Sequence, residues 1–285
     1  MNRLNIRCIA LDLDQTTLDN RGRLSPGNRR AMEDAIARGI HIVIASGRAL
    51  ASLPEDVVSV PGIEYAITSN GAAIYHLPTG TCLRRLTLPP RSARDILRLT
   101  AGEPVAYEAF VQGEAYAGED YVRDPMRYGA TAQGAVYVRR TRHPVPDILE
   151  FIHHHIGELD SLDVVVQDGE TKARLMELLG HEVSDLYMTS SVPRLIELSH
   201  PQGGKDGGVR FLAGVLGTPM SEVAAFGDGD NDADMLRAVG FGVAVAGATP
   251  ACLAAADLVT ASNDEDGVAQ GIHHILKGQE PYHDI

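Results

Sequence analysis

Short apolar runs alternate with helical periods along the first part of the chain. Residues 6–13 (IRCIALDL) are interrupted only by Arg7 before they reach Asp12, and Asp14 follows at once. A run of this kind predicts a strand buried on both faces of a parallel sheet. Ser25-Pro26 then opens a helical stretch, NRRAMEDAIARG, with serine at the N-cap, proline in the first turn and Gly39 as its stop. Residues 40–45 (IHIVIA) read as a second buried strand ending at Ser46-Gly47-Arg48, and residues 64–68 as a third ending at Ser69-Asn70-Gly71. Strand, helix and strand at this spacing predict a right-handed βαβ unit, in which ligands bind beyond the carboxyl ends of the strands. All three predicted strands finish in polar or acidic residues, so their ends would converge on one edge.

Around residue 81 the pattern changes. Residues 105–117 (VAYEAFVQGEAYA) form two alternating halves about Gln112-Gly113, a hairpin pattern. Residues 135–140 and 162–167 also alternate and read as strands, with a helical stretch at 146–156 between them. The helix ETKARLMELLG and strands near 186–189 and 195–198 complete an α+β layer. Buried-strand patterning returns at 223–226, 242–245 and 258–259. The whole predicts an α/β protein: a Rossmann-like, doubly wound, mostly parallel sheet core at 1–81 plus 194–285, with an α+β cap inserted at 82–193.

Composition adds limits to this picture. A chain of 285 residues with 44% hydrophobic and 22% charged residues is an ordinary globular protein, long enough for two cores. Lys+Arg 25 against Asp+Glu 38 leaves a net charge of -13, which works against broad binding to nucleic acid or anionic membranes. A small anionic ligand held by a metal and a few local cations remains compatible with it. Cys8, Cys82 and Cys252 offer no CxxC and no short pairing, so neither a disulfide framework nor a thiolate zinc site is expected. The N-terminal residues fit no secretory signal and no run approaches a membrane span, so a cytoplasmic location is expected.

The chemistry concentrates at predicted strand ends. Asp12 and Asp14 put two carboxylates at i and i+2 where a buried strand finishes, a geometry in which a side chain and a nearby carbonyl can reach one cation. Taken alone, such a pair is as readily the polar start of a loop. Gly227-Asp228-Gly229-Asp230-Asn231-Asp232 follows another buried strand, and that much negative charge is costly without a hard cation. An EF-hand fails because Ala233 and Val239 stand where glycine and glutamate are required, and a Rossmann glycine motif fails at Asp232. A magnesium site partnered by a phosphate fits better. Lys205 opens a helical run but lacks the P-loop glycine, since Ser199 stands there, and the following Ser or Thr, since Asp206 does. A lysine at a helix start can still hold a phosphate, although as a lone feature it is more often a solvated charge. His153-His154-His155 point in different directions on a helix and read as cap surface, and the cap tyrosines Tyr107, Tyr116, Tyr121, Tyr128 and Tyr137 read as packing residues.

Together these residues resemble the haloacid dehalogenase (HAD) superfamily, and within it the Cof-type (IIB) phosphatases with a large C2-type cap. The four motifs stand in order: Asp12-x-Asp14-x-Thr16, Ser46 after IHIVIA, Lys205, and Gly227-Asp228-x-x-Asn231-Asp232. The resemblance implies a Mg²⁺-dependent phosphatase of small phosphorylated metabolites such as sugar phosphates, working through an aspartyl phosphate. It makes Asp12 the nucleophile and Asp14 the general acid/base. Mg²⁺ would be held by Asp12, the Asp14 backbone carbonyl and Asp228, with Asp232 supporting from behind. Ser46, Gly47, Lys205 and Asn231 would bind the phosphate, and Thr16, Arg48 and Asn70 are further candidates. Gln15 stands where the superfamily has glycine and must take a turn conformation that glycine adopts more easily; Thr17 stands where leucine is usual. Two other readings are a phosphomutase and a phosphometabolite-binding regulatory protein without useful turnover.

Overall fold

A computed structural model describes residues 4–279; the residues at 1–3, which entered the expectation about a secretory signal, lie outside them. The strands are β1 Cys8–Leu11, β2 His41–Ala45, β3 Tyr65–Thr68, β4 Ala73–His76, β5 Thr81–Arg85, β6 Ala106–Val111 and β7 Glu114–Gly118. They continue as β8 His143–Val145, β9 Leu159–Val165, β10 Tyr187–Thr189, β11 Leu195–Ser199, β12 Val223–Gly227, β13 Phe241–Ala244 and β14 Leu258–Val259. Eight of them form one sheet in the order β14-β13-β12-β1-β2-β3-β4-β5, parallel except where β4 and β5 fold back at its edge. The other six form a second sheet, β10-β11-β9-β6-β7-β8, antiparallel except between β7 and β8.

Helices cover both faces of the eight-stranded sheet, as the unbroken apolar runs require. Ile9 and Leu11 of β1 pack on one face with Met32, Ala35, Ile272 and Ile275, while Cys8 and Ala10 pack on the other with Val209, Leu212 and Met235. The side chains of one strand thus alternate between two cores. The Pro26–Ala37 helix starts as expected: the Ser25 side chain accepts from the Asn28 amide, with Pro26 at the first position. The six-stranded sheet has its own core on one face, where Tyr107, Leu162, Val164 and Ile196 meet Ile96, Ile152 and Leu175.

Two expectations are corrected. Residues 135–140 are not a strand but the middle of the helix Ala132–Thr141. The Thr131 side chain caps its start by accepting from the Gly134 amide, and the buried positions, Ala135 and Val138, are three apart. A cap and a helical burial period outweigh the β-preference of valine and tyrosine. The edges of the insertion also move. Thr81–Arg85, expected in the cap from residue 82 onward, is the edge strand of the eight-stranded sheet, joined to β4 through a turn at Gly80 with φ +66°. Leu195–Ser199, placed by the expected boundary in the core, pairs with β9 in the six-stranded sheet. The chain crosses between layers near 86–88, where the Leu86 amide bonds Ala72 and the Leu88 amide bonds Leu159, and returns near 200–204, where the Gly204 amide bonds Asn70. No helix among the described residues is long and apolar enough to cross a membrane.

Candidate active site

The carboxyl ends of β1, β2, β3 and β12 meet beneath the six-stranded layer. β1 ends at Asp12, 5% exposed, whose amide still bonds Phe226 on β12. The chain then turns sharply over Leu13–Thr17, with Gln15 at φ +61°, the left-handed region where glycine would sit more easily. The Thr17 hydroxyl donates to the Asp12 carbonyl and the Leu18 amide to the Leu13 carbonyl, so the turn is closed on itself. Beyond β12, Asp228 and Asp232 flank another tight turn.

Lys205 joins these two strand ends. It is 1% exposed, and its Nζ donates to Asp12 Oδ1 at 2.6 Å and to Asp232 Oδ1 at 2.7 Å. Its reading as a solvated charge therefore falls. Asp232 Oδ2 accepts from the amides of Asp228 at 3.0 Å and Gly229 at 2.9 Å, so both of its oxygens are committed. Thr16, fully buried, donates from Oγ1 to Asp228 Oδ1 at 2.7 Å. Asp12 Oδ2 and Asp228 Oδ2 accept no hydrogen bond among the described residues.

Charge in this cluster is out of balance. Burial, then the charges of Asp232 and Asp228, push Asp12 well above the ordinary carboxylate range against the pull of Lys205. Burial and Asp232 raise Asp228 to about 6. Burial works against the Lys205 ammonium, yet the adjacent Asp12 and Asp232 carboxylates hold it above the usual lysine value. One oxygen each of Asp12, Asp228 and Asp232 lie within 4.8 Å of one another. This is a donor set suited to a hard cation, and because Asp232 is occupied by Lys205 and two amides, the free oxygens belong to Asp12 and Asp228.

Asp14, two residues beyond Asp12, has a side chain 55% exposed and is gripped by Arg48, whose Nε and Nη2 donate to its two oxygens at 2.8 and 2.6 Å. Arg48 itself is 6% exposed, a buried group of the site. It is held further by the Ser52 carbonyl at 2.9 Å and by Tyr137, whose ring centroid lies 4.7 Å from the guanidinium carbon.

The remaining candidates line the other side. Ser46 is buried and accepts from the Arg48 amide, and the Asn70 amide donates to the Ser46 carbonyl. Asn70, at φ +50°, donates from Nδ2 to Glu197 Oε1 at 2.9 Å and accepts from Asn231 Nδ2 at 3.0 Å. Gly47 lies so close that a Cβ there would stand 3.1 Å from Glu197 Oε1. All eleven candidates, Asp12, Asp14, Thr16, Ser46, Gly47, Arg48, Asn70, Lys205, Asn231, Asp228 and Asp232, thus belong to one connected cluster. Sequence reasoning missed Glu197, Tyr137 and Arg142, which the six-stranded layer brings against it. Glu197 left a signal: it is an acid inside an alternating apolar run, LIELS.

Comparison with known proteins bears on what the cluster does. A family model described as haloacid dehalogenase-like hydrolase matches residues 9–272. Phosphatase YwpJ of Bacillus subtilis is 29% identical, with 95% of this chain and 100% of that protein covered. The 5-amino-6-(5-phospho-D-ribitylamino)uracil phosphatase YwtE of the same organism is 26% identical, with 96% and 99% covered. A solved haloacid dehalogenase-like hydrolase from B. subtilis superposes with a TM-score of 0.80 at 29% identity, covering 94% of this chain and 99% of that one.

Proposed function

The chain belongs to the haloacid dehalogenase-like hydrolases, and from that premise we propose that it is a cytoplasmic Mg²⁺-dependent phosphatase of small phosphorylated metabolites. The observation that carries this reading is Lys205 bridging Asp12 and Asp232 beside Asp228, with Asp14 poised two residues beyond Asp12. A relative named for a phosphorylated ribitylaminouracil supports the substrate class.

In this reading Asp12 attacks phosphorus in line through a carboxylate oxygen, and the phosphoryl group passes to it as an aspartyl phosphate. Lys205 holds the Asp12 carboxylate in place and offsets its charge, and Asp232 keeps Lys205 oriented. Asp14 gives its proton to the departing alkoxide and then removes one from the attacking water. Arg48 fixes the Asp14 carboxyl through two parallel hydrogen bonds, so that its position survives both proton transfers. Ser46, Gly47 and Asn231 receive the phosphate oxygens. Mg²⁺ would be held by Asp12, Asp228 and the Asp14 carbonyl, and would shield the two anions that must approach each other. The six-stranded layer acts as a cap that excludes bulk water, resting on the core through Asn70–Glu197 and Arg48–Tyr137.

The test is a phosphate-release screen across sugar phosphates, nucleotides, pyridoxal phosphate and flavin mononucleotide. Turnover is expected with Mg²⁺, and Asp12→Asn is expected to lower it about 10³-fold or more without unfolding the protein. An isomerised sugar phosphate in place of free phosphate would make the protein a mutase. Silence across the panel, with Asp12→Asn changing nothing, would end the reading.

A further inference from the structure

The side of the six-stranded sheet that faces the cleft carries charge where a covered face is ordinarily apolar. Glu197 on β11, Asp163 on β9 and Glu108 on β6 stand directly opposite one another on three adjacent strands. They are 4%, 3% and 2% exposed. Opposed residues on neighbouring strands lie about 5 Å apart, so the three carboxyls form a row on the order of 10 Å long.

One end of the row meets the catalytic cluster directly, and the other reaches it through Arg142 and Tyr137. At one end Glu197 accepts from Asn70 Nδ2, and its other oxygen takes the Ser191 amide. At the other end Arg142 donates from Nε to Glu108 Oε2 at 2.7 Å, and its guanidinium carbon lies 5.0 Å from the Tyr137 ring centroid. Arg48, which grips Asp14, approaches the same ring. The row therefore spans the cleft from the Asn70 side to the Asp14 side, and Asp163 occupies its middle.

Asp163 is the member without a partner. Among the described residues no hydrogen bond or ion pair reaches its carboxyl, although it is nine-tenths buried. The cations nearby are committed: Arg142 to Glu108, and Lys172, which faces Glu197, to Ser190 Oγ and the Val192 carbonyl. Tyr121, from the helix Glu119–Arg123, stands beside Glu108. Burial, then the like charges of Glu197 and Glu108, push Asp163 well above the ordinary carboxylate range against the pull of Arg142. A buried carboxyl left in this state costs free energy, and a cation placed in the row would relieve it.

Resting on the phosphatase reading, we infer that the Glu197–Asp163–Glu108 row is the subsite for the leaving group and that it selects phosphomonoesters whose leaving group carries a protonated amine. An ammonium offers three donors and no acceptor, and each bond it makes here is charge-assisted. A hydroxyl in the same place would fill lone pairs but leave neighbouring anions buried without compensation. The preference deepens the proposed function, because the core supplies the phosphate chemistry and the row chooses what the phosphate is attached to.

The experiment compares matched esters that differ in one group: glucosamine 6-phosphate against glucose 6-phosphate, and pyridoxamine phosphate against pyridoxine phosphate. The amine member of at least one pair is expected to show a kcat/KM about tenfold or more above its hydroxyl partner. Asp163→Asn, which keeps the shape, is expected to raise KM for that amine ester about tenfold and bring the ratio near one. Equal or better use of the hydroxyl members by the unaltered protein overturns the inference while leaving the phosphatase reading intact. Binding to the Asp12→Asn variant, followed by calorimetry with the same pairs, separates the two further. If no ester is hydrolysed but the amine member binds more tightly, the phosphatase reading fails and the subsite stands; if no ester is hydrolysed and the pairs bind alike, both fail.

Discussion

In the eight-stranded sheet β1 and β12 are buried along their whole length, and their first charged side chains come only where they end, at Asp12 and Asp228. In the six-stranded sheet β6 and β9 are buried just as fully, yet Glu108, Asp160 and Asp163 lie within them. Helices seal both faces of the first sheet, so a polar group there can find partners only past the strand ends. Helices seal one face of the second; the helices Glu119–Arg123 and Ala132–Thr141 cover part of its other face, and Glu197 on that face meets Asn70 of the core. The first layer gathers its charges around Lys205, which Asp12 and Asp232 share; the second holds a row whose middle carboxyl has no hydrogen-bonding partner among the described residues.

The largest effect should come from breaking the mutual pairing in the core. Lys205→Met removes the cation that Asp12 and Asp232 share and leaves their carboxylates buried together. A loss of about 3–5 kcal/mol in urea denaturation is expected, along with loss of turnover. Unchanged stability would mean that the cluster does not rely on this lysine, and the contrast between the layers would weaken.

That contrast also explains what was legible in the sequence. The core's strands announced themselves as apolar runs and its chemistry as polar residues immediately after them, so Asp12, Ser46, Asn70 and Asp228 could be located from the primary structure. Lys205 was legible only as a motif position, because its burial depends on strands far apart in the chain. Glu197, Asp163 and Glu108 come from separate strands, and only the register of β11, β9 and β6 sets them in a row. The Ala132–Thr141 helix was misread for a related reason: alternation over six residues fits either period, and the Thr131 cap decided it.

A smaller effect separates the layers by pH and metal. The folded value of Asp228, about 6, lies above its ordinary 3.8. A raised value means that the native state favours the protonated form, so this contribution is present below the ordinary value and is lost as pH rises through about 6. Asp12 shifts in the same direction. Metal-free protein should therefore lose stability between about pH 4 and pH 6, and Mg²⁺, which favours the ionised carboxylates, should raise Tm more at about pH 7.5 than at about pH 5, by a few degrees. Thermal melts with and without Mg²⁺ at both values check this, and an increment independent of pH would show that these carboxylates do not hold the ion.

The smallest expected effect has the opposite sign. Asp163 resembles valine in volume, sits in the central part of a fully buried strand, and makes no hydrogen bond among the described residues. Asp163→Val deletes a desolvated carboxyl, relieves the repulsion from Glu197 and Glu108, and supplies a side chain suited to a strand. The variant should gain about 1–2 kcal/mol, read as a higher urea midpoint with unchanged slope. The same change at Asp12 or Asp232 in the core, where Lys205 answers the carboxylate, would strip a partner and destabilise. A loss of stability in Asp163→Val would show that its carboxyl shares a proton with Glu197 or Glu108 as part of the fold. The row would then be a structural pairing like that around Lys205, and the difference between the two layers would disappear at the row itself.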